Sequence, residues 1–590
     1  MTEKDRTAAP SPEIAASRWS VLRSRVRGNT LRSSLFLCFA SWACLTLAQN
    51  PTEENSEFET ITGTVLNKLT REPVSRALVF SPDNRMAKFT DNDGRFQFEV
   101  PKDQDPQITI RGARMFGATT FSARKPGFLP DPEVPQTLAA PDLVILLIPE
   151  GVIQGRVLSN SAELAVGMNV QLFKREVQDG FGRWDPSQMT RTNSSGEYRF
   201  AELTPGEYKV MTQELLDTDP ESLAPGSQLY GFPPACFPGV PDFASGTTIT
   251  LTAGQKLQAD IPLSRQPYYR VSLPVLNAES LPGLNVSVLA QAHPGPGYSL
   301  GYNPGTHKVE GLLPNGTFSI QLQGFTPAPT SGNATFTIAG REASSPSIVL
   351  TAGGVIPINV HEEFTSAWEG QSTWTIGKRT FEVHGPRQYL HVWLEPIDDF
   401  SRLGRPALRP PVSRPDEPLV VENVLPGAYW VRFNVFRGYV QSITSNELDL
   451  LHQPLVVLSG SSAQIDITMR DDTAEISGTI VGLKTSQDSL TSPAVISAQG
   501  LANQTPAYVY CVPLPDSNGT FQQITVMPNG VFQSTPMAPG AYRVLAFAHP
   551  KLNLPYRDAV AMRAYDTQGQ VVNLVPGQTE RLQLQMIGED

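Results

Sequence analysis

The sequence predicts an all-β fold: a tandem array of about five antiparallel β-sandwich modules following a signal peptide. Three observations carry this expectation. First, the chain of 590 residues holds 46 glycines and 52 prolines, spread through stretches rich in Val, Thr and Leu. That is the composition of short strands joined by many turns, and it argues against collagen, coiled coil and wholesale disorder. Second, 40% of the residues are hydrophobic, ample for packed cores, and the length is far more than one ordinary core uses. Third, short motifs recur in a fixed order along the chain.

The recurring motifs define the modules. Gly196, Tyr198, Pro205, Gly206, Tyr208 and Val210 match Gly530, Phe532, Pro539, Gly540, Tyr542 and Val544 at one constant offset. Pro426-Gly427-Ala428-Tyr429 repeats the second half, Pro314-Asn315-Gly316-Thr317-Phe318 repeats it with one extra residue, and Asp93-Gly94-Arg95-Phe96 repeats the first. A second motif opens modules: Ile61-Thr62-Gly63-Thr64-Val65, Ile153-Gln154-Gly155-Arg156-Val157 and Ile476-Ser477-Gly478-Thr479-Ile480. A third closes them: Gly254-Gln255 ahead of Ile261 and Leu263, and Gly577-Gln578 ahead of Leu582 and Leu584.

The physics of the unit is a hairpin. A glycine after Asn, Asp or Ser supplies the positive φ of a tight turn, and the aromatic that follows begins a strand. Pro-Gly makes the next turn, after which Tyr and Val point to one face and the aromatic caps the core between two sheets. The expected organisation is a signal peptide at 1–48 and sandwiches at 58–150, 151–265, 266–355, 356–471 and 472–590, the third and fourth being divergent. The Pro-rich run Gly404–Pro415 reads as an extended loop inside the fourth module.

Ile61-Thr62-Gly63-Thr64-Val65, the run Glu72–Val79 and Thr90-Asp91-Asn92-Asp93-Gly94-Arg95-Phe96 resemble the carboxypeptidase regulatory-like domain, a small transthyretin-like sandwich. The second and fifth modules resemble it too, whereas the stretch between about 266 and 470 does so only in fragments. The chain as a whole is similar to large secreted bacterial proteins built from such domains. That resemblance implies a sandwich fold, related to starch-binding domains, and with it carbohydrate binding.

Targeting and charge narrow the setting. Basic residues (Lys4, Arg6, Arg18, Arg23, Arg25, Arg27, Arg32) precede an apolar run from Leu35 to Leu47 that ends near small residues, the pattern of a secretory signal. The run falls short of the roughly 20 residues of a membrane span, and no later segment is long enough. The expected location is outside the cytoplasm: secreted, extracellular or periplasmic. The formal charge is −11, with 46 Lys plus Arg against 57 Asp plus Glu, which excludes a nucleic-acid partner of the usual basic kind. Cys38 and Cys44 lie in the signal. Cys236 and Cys511 remain, and two separate buried thiols are expected in preference to a bridge.

The sequence carries no recognisable catalytic or metal site, and no cofactor is expected. His307-Lys308-Val309-Glu310 has the spacing of one zinc-peptidase pair, but on a strand residues three apart face opposite ways. Asp91-Asn92-Asp93-Gly94 lacks calcium-loop spacing and reads as a turn. Gly-x-Ser-x-Gly and the phosphate-loop motif are absent. The ligand candidates are aromatics: Phe181 and Trp184 in a polar loop of the second module, with Tyr230 and Phe232 further on. Together they would form a platform for sugar rings, or else pack the loop onto its own sandwich or the next module. Trp393 and Trp430 alternate with apolar residues and read as core. The function expected is a non-enzymatic surface or periplasmic protein that binds carbohydrate weakly. The alternatives are an adhesion or scaffold protein for protein partners, and a hydrolase with an unfamiliar site. Polysaccharide or envelope proteins are the expected partners.

Overall fold

The computed structural model describes residues 58–588 with interruptions, the widest at 102–106, 132–136, 160–164, 218–226, 411–416, 459–463 and 482–506. The signal peptide expected at 1–48 lies outside the described residues. Within them the sheets pair off in chain order into sandwiches, each enclosing its own buried apolar cluster. The clusters run from Ile61 to Leu147, Ile153 to Leu263, Val271 to Leu350, Ile356 to Met469 and Ala474 to Leu584. The sandwich array is therefore present as expected.

The pairing departs from a purely antiparallel scheme in one consistent way. The opening strand Phe58–Asn67 pairs with the closing strand Asp142–Pro149 in parallel, and with Arg95–Pro101 antiparallel. In the second module Gly151–Ser159 pairs in parallel with Lys256–Gln258 and Ile261–Leu263. The opening strand Gln266–Leu276 of the third does so with Ala343–Ser344 and Ile348–Val349. Gly354–Glu363 with Ile465–Arg470, and Glu475–Val481 with Thr579–Gln585, repeat the arrangement. A parallel neighbour needs a long crossover, and the body of each module supplies it.

This geometry explains the motif residues. The opening-strand glycine lies opposite the hairpin aromatic: Gly63 pairs with Phe96, Gly155 with Tyr198 and Gly478 with Phe532. A Cβ on any of the three would collide with that aromatic side chain and with a carbonyl of the closing segment. The ring fills the space where a side chain would stand. The Tyr after Pro-Gly is fully buried and donates its hydroxyl to the carbonyl four residues upstream: Tyr208 to Thr204 at 2.7 Å, Tyr429 to Leu425 at 2.8 Å, and Tyr542 to Ala538 at 2.6 Å. This is a tyrosine corner, which ties the strand start to the preceding turn. The third module carries buried Phe318 there and lacks the hydroxyl. At the first hairpin Asp91 Oδ1 accepts the N–H of Asp93 at 2.9 Å and of Arg95 at 2.7 Å, so this carboxylate organises a turn.

Three local expectations are corrected. Phe181 and Trp184 lie in a strand, Phe181–Arg191, not in a loop; its partner is Asn169–Gln178. The two join through Asp179 (φ 48°) and Gly180 (φ 82°), a tight hairpin turn with positive φ at both central residues. Tyr230 and Phe232 also lie in a strand, Leu229–Phe232, which pairs with the opening strand of the third module. Trp393 and Trp430 are outside the fourth core: Leu390, Val392 and Leu394, with Tyr429 and Val431, take the inward positions, so alternation turns both tryptophans outward.

Cys236 and Cys511 are free and buried. The Pro-rich run of the fourth module is extended where described: Leu394 N–H donates to Pro406 O and Leu408 N–H to Val392 O, each at 2.8 Å. No helix among the described residues is long and apolar enough to cross a membrane.

Candidate functional site

The hairpin Asn169–Gln178/Phe181–Arg191 projects from the second module and meets the fourth and fifth at its tip. The Phe181 ring stacks on Trp430 with centroids 5.6 Å apart and planes 19° apart. The Arg432 guanidinium lies 5.2 Å from the centre of Phe181 and 5.5 Å from that of Trp430. On the hairpin's other side Gly180 O accepts the Arg557 N–H at 3.0 Å, and a side chain at Gly180 would strike the Tyr556 ring. Tyr556 stacks on Phe521 at 4.0 Å. The fourth and fifth modules also touch directly, through Asn518 Nδ2 donating to Gln441 O at 2.9 Å.

A buried charge cluster underlies this junction. Glu395 is 1% exposed and Arg432 4%. Arg432 Nε donates to Glu395 at 2.8 Å, Arg405 approaches the same carboxylate at 2.9 Å and Arg183 of the hairpin at 3.7 Å. Arg183 also donates to Pro396 O at 3.1 Å. Burial, and then the nearby positive charge of Arg557, pulls the Arg432 guanidinium below its ordinary range, while Glu395 opposes this. One carboxylate thus serves three guanidiniums from two modules.

Around the junction lies a cleft of about 680 Å³. Its floor is the outer face of the fourth module's sheet, where Trp393 stands opposite Arg432, Trp430 opposite Glu395 and Asn434 opposite His391. The fifth module contributes Tyr556 and Arg557, and the second Asp179 and Phe181. Ring faces and polar groups thus alternate along one concavity.

The four aromatics expected to form a platform are held in separate places. Phe181 is at the junction. Trp184 is half-buried in a second cluster, its ring edge-on to Phe243 at 6.0 Å. Phe243 in turn meets Phe173 and Phe400 of the fourth module, each at 4.9 Å. Lys209 Nζ sits 5.2 Å above Trp184 and donates to Phe243 O at 2.7 Å. Burial lowers its pKa, with the nearby Cys236 and Asp242 opposing. Tyr230 lies under the Arg265 guanidinium at 4.1 Å, and Phe232 packs against the second core. The residues missed from sequence are Trp393, Asn434, Tyr556 and Arg557. The signal available was the parity of Trp393 and Trp430 relative to buried neighbours.

Among the described residues no group of His, Cys, Asp and Glu is arranged to hold a metal ion. His307 ends a turn at positive φ, just before the strand Lys308–Pro314, and its Nδ1 lies 3.2 Å from the Tyr302 hydroxyl.

No protein-family model matches the chain, and no curated protein matches its sequence. Among solved structures it is similar to the minor pilin GBS52 of Streptococcus agalactiae, at 14% identity over 35% of this chain and 96% of that one, with a TM-score of 0.18. It is similar to the shaft pilin SpaA of Lactobacillus rhamnosus GG, at 10% identity over 35% and 97%, with a TM-score of 0.17. For the Bacillus anthracis TIE protein the values are 10%, 70%, 67% and 0.14. Likenesses at these scores carry no argument about function.

Proposed function

We propose that the chain is an exported, non-enzymatic multi-module protein of the cell surface or periplasm that works as an adhesion or scaffold protein, binding protein partners of the envelope. The observation that supports this reading is the clamp at the hairpin tip. Modules joined only by linkers would move independently, whereas here one hairpin is gripped by two later modules through stacking, a shared buried carboxylate, one backbone hydrogen bond and the Arg183 bond to the Pro396 carbonyl. Such an arrangement holds surfaces of different modules in fixed relation, which is what a scaffold must do. The test is immobilised protein from residue 49 onward, exposed to envelope extract. The expected result is stoichiometric capture of a discrete protein, repeated with the purified partner in solution. A clean monomer that retains nothing rejects the reading.

Carbohydrate binding is the second reading. It is favoured by the cleft, where tryptophan and tyrosine faces stand beside amide and guanidinium groups. It is tested by a glycan panel, and uniformly flat binding rejects it. Kinship with carboxypeptidase regulatory-like domains belongs with this reading and is supported by the opening-strand glycine and its aromatic partner in the first, second and fifth modules.

A further inference from the structure

We infer that the cleft between the second, fourth and fifth modules is a binding site for an acidic oligosaccharide, with Trp393 as the stacking platform and Arg557 as the carboxylate anchor. The inference rests on the carbohydrate-binding reading and narrows it to one site and one class of sugar.

A sugar offers a face of C–H groups that stacks on an aromatic ring, and an edge of hydroxyls that needs polar partners. Trp430 has Phe181 stacked on it, and Tyr556 has Phe521. Trp393 is half-buried on the cleft floor, and no aromatic ring stacks on it among the described residues. It belongs to no core cluster. A half-buried tryptophan in a concavity, with the core filled by its neighbours, is a surface held open for something else. Asn434 is exposed on the same strand face, two residues beyond the partner of Trp393, and offers both an amide donor and an acceptor.

Charge selects the sugar. Arg432 and Arg543 also line the cleft, but each is engaged: Arg432 with Glu395, and Arg543 with Asp566 at 3.1 Å and the carbonyls of Tyr565 and Asp566. Arg557 differs. Its guanidinium is exposed, lies 5.9 Å from the centre of Phe181 and 5.6 Å from that of Tyr556, and makes no side-chain ion pair among the described residues. It stands near enough to Arg432 to disfavour that group's charge. The cleft also carries two carboxylates, Asp566, which is taken up by Arg543, and Asp179 at the hairpin turn, so Arg557 is the lining guanidinium that makes no side-chain ion pair among the described residues. A carboxylate of a uronic acid relieves the repulsion between the two guanidiniums and takes a bidentate partner. The volume of about 680 Å³ lies within the usual range for small-molecule sites and accommodates a short oligosaccharide.

The test is calorimetric titration of the full chain with oligogalacturonate, and in parallel with neutral malto- and cello-oligosaccharides. The expected result is binding of the acidic chain, weakened by salt, with neutral chains much weaker. Trp393→Ala should lower affinity for the acidic chain roughly five- to tenfold, the loss of one stacking contact. Arg557→Gln should abolish the preference for acidic over neutral chains and flatten the salt dependence. Both side chains lie outside the cores, so unchanged thermal unfolding of the variants serves as the fold control. Equal binding of neutral chains would overturn the acidic assignment while leaving carbohydrate binding standing. Undiminished affinity in well-folded Trp393→Ala would overturn the site. No binding by any oligosaccharide would overturn both this inference and the reading beneath it.

Discussion

At the scale of single residues, the tyrosine corners and one carboxyl group carry sharp expectations. Tyr208, Tyr429 and Tyr542 each bury a hydroxyl whose partner is a carbonyl four positions back. Removing that hydroxyl strands the carbonyl, and at Tyr542 also the Thr520 N–H that donates to it at 3.2 Å, but leaves the ring, so Tyr542→Phe should cost about 1–3 kcal/mol in chemical unfolding of the fifth module. Phe318 already lacks the hydroxyl, and Phe318→Tyr offers the reverse experiment. Glu214, where the second and third modules meet, accepts the N–H and hydroxyl of Ser299, both at 2.7 Å, through Oε1, while its Oε2 is buried without a partner. Burial pushes its pKa up to about 7 from an ordinary 4.5, with the Ser299 bonds opposing. The folded state therefore holds a proton that the unfolded chain has released between those two values. Stability at this joint is full below about pH 4.5 and falls as pH rises through 7. Thermal unfolding followed from pH 4.5 to 8 should show that decline, and Glu214→Gln should flatten it.

At the scale of elements, the projecting hairpin depends on two residues. Asp179 and Gly180 both take positive φ, and Gly180 has the Tyr556 ring where a side chain would go. Gly180→Val should both strain the turn and push Tyr556 away. The expected outcome is earlier proteolytic cleavage at the hairpin tip with the sandwich cores intact; an unchanged cleavage pattern would contradict the clamp. The hairpin was only partly legible in the sequence. Asp-Gly between two runs is a turn signal, but Phe181-Gly182-Arg183-Trp184 shows no clean alternation, because both faces of this strand touch something. The same cause hid the strand Leu229–Phe232, whose partner belongs to the next module. The repeated hairpins, by contrast, were legible to the residue, since each rests on local turn chemistry and one buried ring. The cleft was legible only in fragments. Trp393 and Trp430 were visible, but which way a strand residue points depends on the neighbouring positions, and Tyr556 and Arg557 come from another module altogether.

At the scale of the whole molecule, Glu395 is the point on which three guanidiniums and two modules converge. Glu395→Ala leaves Arg432 buried and uncompensated, a change that typically costs about 3–5 kcal/mol. Small-angle scattering of that variant should show a larger radius of gyration than the parent protein, and an identical profile would argue against a held junction. The parallel closure of each module has a mechanical meaning as well. Because the opening and closing strands lie side by side and run the same way, the chain enters at one end of the pair and leaves at the other. Tension along the polypeptide therefore slides these two strands past each other, loading all their hydrogen bonds together instead of peeling them one by one. A protein stretched between two anchors would yield abruptly, at high force, one module at a time.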